Sequence, residues 1–70
     1  MPTINTLELE GISEKSWGEA AREALKEAAK TIRNINRLEV LSTGTEVDGN
    51  QIVRYRTQVR LYFQVETDRS

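Results

Sequence analysis

Four arginines carry most of the chemistry that this sequence offers. Arg54, Arg56 and Arg60 share the even positions of one alternating run with Gln58 and Tyr62, and Arg37 falls on the corresponding face of the strand before it. Guanidinium forks suit planar carboxylates and phosphate oxygens, so one reading of this cluster is an anion or phosphate site. The other reading is ion pairing with Glu39, Glu46, Glu8 or Glu66 of neighbouring subunits. Glu39, Glu46 and Asp48 supply oxygen ligands for a hard cation where a symmetry axis gathers several copies, although their spacing forms no binding loop. Arg37, Arg56, Glu46 and Gln58 are the residues on these strands expected to contact a ligand. Single-stranded nucleic acid needs exposed aromatic rings in numbers, and this face offers one tyrosine.

Chemistry of other kinds is excluded by what the chain lacks. It has no cysteine and no histidine, which removes thiol nucleophiles, imidazole bases, disulfides and zinc sites of the usual kind. No nucleophilic triad can be drawn around Ser16, and we expect no enzyme. Ten basic and eleven acidic side chains give a net charge of −1, which argues against nucleic acid and anionic membranes as partners. No apolar run approaches the roughly 20 residues that span a bilayer, and the N-terminus lacks the pattern of a signal peptide. The expected location is the cytoplasm.

The elements that position these residues begin with a helix over Ser16–Ile35. Trp17, Ala20, Ala21, Ala24, Leu25, Ala28, Ala29, Ile32 and Ile35 repeat at i, i+3, i+4, i+7 and form one apolar face. Opposite charges three apart, at Glu19/Arg22, Glu23/Lys26 and Glu27/Lys30, make the other face a water-facing stripe. Ser16 followed by Glu19 has the spacing of a capping box. Alanines on the buried face let this helix lie close to a curved sheet, and Trp17 reads as a packing or interface residue.

Strand patterns flank the helix. Pro2–Glu10 alternates, Gly11–Lys15 leads into the helix with Ile12 as an anchor, and alternation resumes over Arg37–Ser42 and Thr43–Val47. Gly44 within that run predicts a bulge or bend. Asp48-Gly49-Asn50 is a hairpin signal. The last strand runs from Gln51 to about Val65, long against a usual strand of about 5–6 residues. Its odd positions Val53, Tyr55, Thr57, Val59, Leu61, Phe63 and Val65 form a nearly apolar face, which should meet the helix together with Leu38, Val40, Leu7 and Leu9. The polar tail Glu66–Ser70 is expected to fray.

The order is strand, helix, strand, strand in a single domain over residues 1–70, an α+β chain with one amphipathic helix against a three-stranded antiparallel sheet. Seventy residues bury only about 60% of the surface that their unfolded chain exposes. With disulfides and zinc removed, self-association is the remaining supplement. One sheet face has no helix to cover it, and the long strand overhangs its neighbours, so both features ask for other subunits.

These residues resemble the dodecin family of small βαββ proteins, whose strands wrap one helix and which assemble as hollow homododecamers. The likeness lies in Gly11 with Ser13-Glu14-Lys15-Ser16, in Thr31-Ile32-Arg33-Asn34-Ile35-Asn36-Arg37-Leu38-Glu39-Val40, and in Asp48-Gly49 leading through Tyr55 to Tyr62-Phe63-Gln64-Val65. The resemblance implies a non-catalytic homododecamer that binds or stores flavin, riboflavin or its phosphate FMN, as stacked pairs at subunit interfaces. The chain departs from the family at two positions. Arg37 stands where the flavin-stacking tryptophan falls, and Arg56 stands where the glutamine after the strand-three tyrosine contacts the ring edge. The pocket is thus altered, and the alternative is a shell of the same architecture that holds ions or another anionic ligand without flavin.

Overall fold

Glycine and asparagine reverse the chain at the two places where its backbone direction changes most. Gly49 and Asn50 adopt φ of +62° and +65°, the pair of positive angles that a two-residue hairpin requires, and Asn34 at +63° turns the chain from the helix into the next strand. The computed structural model describes residues 3–65 and places four elements between these turns. They are β1 (Thr3–Ser13), α1 (Trp17–Ala29), β2 (Ile35–Asp48) and β3 (Gln51–Val65). The strands form one antiparallel sheet in the order β1-β3-β2, which puts the longest strand in the centre. The expected βαββ architecture is the observed one.

The helix is shorter than its apolar periodicity predicts. It stops at Ala29, where the amides of Lys30, Thr31 and Ile32 close back onto the carbonyls of Glu27 and Ala28 and satisfy the helix end. Ile32 and Ile35 still pack against the core, but from the turn and from β2. At the other end Ser16 is the N-cap, and its hydroxyl accepts from the Glu19 amide at 3.0 Å. Only half of the capping box forms. The Ser16 amide turns to the Ser13 hydroxyl, and Glu19 pairs with Arg22 at 3.4 Å.

β1 is longer than expected, because Gly11 continues it toward the helix. A Cβ at Gly11 would lie 1.8 Å from the Ala20 carbonyl oxygen, so glycine is what allows α1 to touch the strand. Ala24 and Ala28 then pack with Val59 and Leu61 of β3, with Leu9 and Leu38 at the margin, while buried Ala20 lies against Gly11 and the hydroxyl of buried Thr57 donates to the Trp17 carbonyl at 2.9 Å. The odd face of β3 therefore meets the helix. The helix lies mainly on β1 and β3 and little on β2, which leaves Val40 54% exposed although it is paired with buried Val59.

The irregularities of β2 do not fall at Gly44, which pairs with Arg56 and has open space at its Cβ position. They fall between Ile35 and Arg37, between Val40 and Ser42, and between Glu46 and Val47. The first two insert a residue into β2, Asn36 and Leu41, and reset its parity, whereas at the third the extra residue is Val53 of β3. The shape follows from the overhang. The chain measures 59 × 19 × 13 Å with a radius of gyration of 14.8 Å, against about 11 Å for a compact chain of this length. No described helix is long and apolar enough to cross a membrane.

Candidate functional site

Alternation in β3 sends its even side chains to the side that the helix does not cover, and pairing with β1 and β2 arranges that face in rows. One row is Thr6, Tyr62 and Arg37; the next is Glu8, Arg60 and Glu39; then come Glu10, Gln58 and Ser42. Beyond them lie Ile12, Arg56 and Gly44, followed by Arg54 with Glu46 and, at the hairpin, Ile52 with Val47. Every row but that last apolar one places an acid beside a base or one row away from it. Cross-strand pairing then joins them.

The resulting ion pairs lie within one chain. Arg60 donates to Glu8 through Nε at 3.0 Å and Nη2 at 2.7 Å, a fork on a single oxygen. Arg56 donates to Glu10 at 3.0 Å and also to Glu46, whose other oxygen takes Arg54 at 2.7 Å. Glu8, Glu46 and Glu39, the carboxylates expected to meet these arginines from neighbouring subunits, meet them within one chain. Glu66, a further expected partner, lies outside the described residues. The guanidinium of Arg56 is held above its ordinary pKa by its hydrogen bond to Glu10 and by that carboxylate's charge. Arg60 is pushed up too, by the Tyr62 hydroxyl and then by Glu8. Both stay cationic at any pH at which the protein folds.

Of the four candidate residues, Arg56 and Glu46 touch, and Gln58 lies one row away with its Oε1 accepting from the Ser42 hydroxyl at 3.2 Å. Arg37 is not with them. The stretch of β3 from Arg56 to Tyr62 separates it from Arg56, about 20 Å at the rise of a strand. Within one chain the two departures from the family pattern thus do not share a pocket. Arg37 sits instead over Tyr62, its guanidinium carbon 3.9 Å from the ring centroid, and its Nε is 3.6 Å from Glu39. The Tyr62 hydroxyl donates to the same carboxylate at 2.7 Å.

Sequence reasoning misses one participant, Glu10, which reads only as the end of a strand, and it gives Tyr62, placed on this face with the arginines, no partner there. Equal parity of Glu8 with Glu10 and of Arg56 with Arg60 is the available signal, but pairing them needs the β1/β3 register. The cation reading has less to work with, because Glu39 and Glu46 are both engaged by arginine and no group of three acidic side chains gathers among the described residues. Trp17, expected to be a packing or interface residue, is 43% exposed in the single chain. Its Nε1 donates to the Gly44 carbonyl at 2.9 Å, and its ring meets Tyr55 edge-on at 5.2 Å.

Comparison with known proteins agrees with this architecture. A family model described as Dodecin matches residues 3–66. Dodecin from Streptomyces coelicolor superimposes with a TM-score of 0.91 at 24% identity, covering 96% of each chain. A point mutant of the Thermus thermophilus dodecin gives 0.90 at 25% identity, covering 96% of this chain and 100% of the other. The calcium dodecin of Mycobacterium tuberculosis, described as calcium chelating, gives 0.81 at 24% identity with 97% of each chain covered. No curated protein matches the chain. A family match over nearly the whole sequence, on a strand order and helix placement that the dodecins share, leaves one assignment: the chain belongs to the dodecin family.

Proposed function

We propose that this chain is a non-catalytic subunit of a closed homo-oligomer that holds a planar, anionic small molecule, with FMN favoured over riboflavin. The observation that carries the reading is the Arg37–Tyr62 stack on a sheet face that nothing in the same chain covers. Arg37 over Tyr62 puts a cation beside an aromatic surface, a combination that suits a flat ligand with a phosphate within reach of the guanidinium. Neutral riboflavin gains less there, because no charge-assisted hydrogen bond offsets the partial desolvation of Arg37.

Self-association follows from the small core. Among the described residues five apolar ones are buried, three of them alanines, while Val47, Val40 and Ile52 stay more than half exposed. We expect sedimentation to give about twelve protomers, and a stable monomer at micromolar concentration would end this part of the reading. Isothermal titration of the assembled protein with FMN and riboflavin tests the ligand: FMN should bind more tightly. A protein that binds neither flavin but takes up calcium instead supports the ion-holding alternative, which draws its support from the mycobacterial relative.

A further inference from the structure

Tyr62 is the aromatic residue of the helix-free face, since register places Tyr55 and Phe63 on the helix side and Trp17 opens the helix. Its row neighbour on β1, Thr6, is too short to cover a ring, and its neighbour on β2 is Arg37. At 3.9 Å from the ring centroid the guanidinium carbon is well within cation–π range and occupies the space over the ring that an aromatic ligand would need. No ligand ring can share that face while Arg37 lies on it.

Arg37 is also loosely held. Its side chain is 58% exposed, and its contact to Glu39 is a single 3.6 Å approach with no fork geometry. Exposed pairs of this kind contribute little to stability. By contrast Tyr62 is fixed at its hydroxyl by Glu39 at 2.7 Å, so the ring stays in place if the guanidinium leaves. A loosely held cation therefore rests on a ring with an anchor of its own.

We infer that Tyr62 is a stacking surface for planar aromatic ligands and that Arg37 is its resident occupant, which selects those ligands by charge. The inference rests on the planar-ligand reading above and deepens it. A neutral ring has to displace the guanidinium and gains nothing from it afterwards. An anionic one exchanges Glu39 for its own phosphate as the partner of Arg37, so the displaced cation still contributes. Arg37 is thus a specificity-determining residue, and Tyr62 is the surface it guards.

The test is a titration of the assembled protein and three variants with riboflavin and FMN, the neutral and anionic forms of one ring system. Arg37→Ala should raise riboflavin affinity by about two- to fivefold, the equivalent of the exposed cation–π contact removed. The same variant should lower FMN affinity, so that the preference between the two ligands reverses. Arg37→Gln, which keeps a polar stem on the strand, should shift the preference in the same direction and guards against a folding defect in the alanine variant. Tyr62→Leu should weaken both ligands. Unchanged or weaker riboflavin binding in both Arg37 variants, including no binding at all, overturns the inference. If the starting protein binds neither flavin while Arg37→Ala takes up riboflavin, the inference stands and the proposed ligand of the starting protein falls.

Discussion

The two faces of β3 are made by one uninterrupted alternation, yet they solve opposite problems. On the helix side, Thr57, Val59 and Leu61 are buried, the last two against alanines, and stability there depends on how closely two backbones approach. On the other side, Arg54, Arg56 and Arg60 are partly exposed and held by carboxylates of the same chain. The first face decides whether the chain folds. The second, already satisfied in charge, is left to decide what the folded chain touches. Substitutions on the two faces should therefore differ in size and in their response to salt.

The largest effect is expected at Gly11. A methyl group there would overlap the Ala20 carbonyl, which is backbone and cannot swing aside, so the helix must lift off β1. Gly11→Ala should cost about 3 kcal/mol or more, at the upper end of overpacking effects. Thermal melts at matched protein concentration measure it, since association makes the midpoint concentration-dependent. A variant as stable as its parent would mean that helix and strand are farther apart than described here.

Ala24→Leu comes next. Ala24 is 3% exposed and faces Val59 and Leu61, with Gly11 close to its amide. The larger side chain should cost about 1–3 kcal/mol, because neighbouring side chains can yield a little where the Ala20 carbonyl cannot. An unchanged melting profile would show that this helix face is not packed. Gly44→Ala makes a useful control, for its Cβ position is open and its φ is not in the left-handed region.

How far the sequence reveals these two faces depends on what kind of information each needs. Alternation from Gln51 to Val65 has period two without a break, so the division of β3 into an apolar and a polar face was legible. The helix was overrun at its C-terminus because Ile32 and Ile35 continue the apolar spacing while serving the same core from a turn and a strand. Only the positive φ of Asn34 separates the two, and asparagine occurs in helices as well. Gly11 looked like a connecting residue, since close approach of a distant backbone leaves no local trace. The three irregularities of β2 are register events, visible only once the partner strand is in place. For the same reason the arginine cluster and its partners Glu8, Glu46 and Glu39 are legible in the sequence, but not that one chain brings them together or that Glu10 joins them. Glu10 meets Arg56 diagonally across β1 and β3, a relation between positions far apart in sequence.

The smallest effect is expected on the polar face and sharpens the contrast most. Arg56→Gln removes both contacts of this guanidinium, but Glu46 keeps Arg54 at 2.7 Å and Glu10 is free to turn to water. Partly exposed ion pairs are screened by solvent, so the thermal midpoint should fall only slightly at low salt. Raising ionic strength shortens the screening length from about 10 Å at 0.1 M to about 3 Å at 1 M, and the difference between variant and parent should shrink accordingly. Helix-side variants such as Ala24→Leu should show no such convergence, since excess volume is not screened. The discriminating result is a large loss in Arg56→Gln that salt does not diminish. That outcome would place Arg56 under a second copy of the chain, dry and unscreened, and this stretch of the polar face would then belong to assembly instead of facing solvent or ligand.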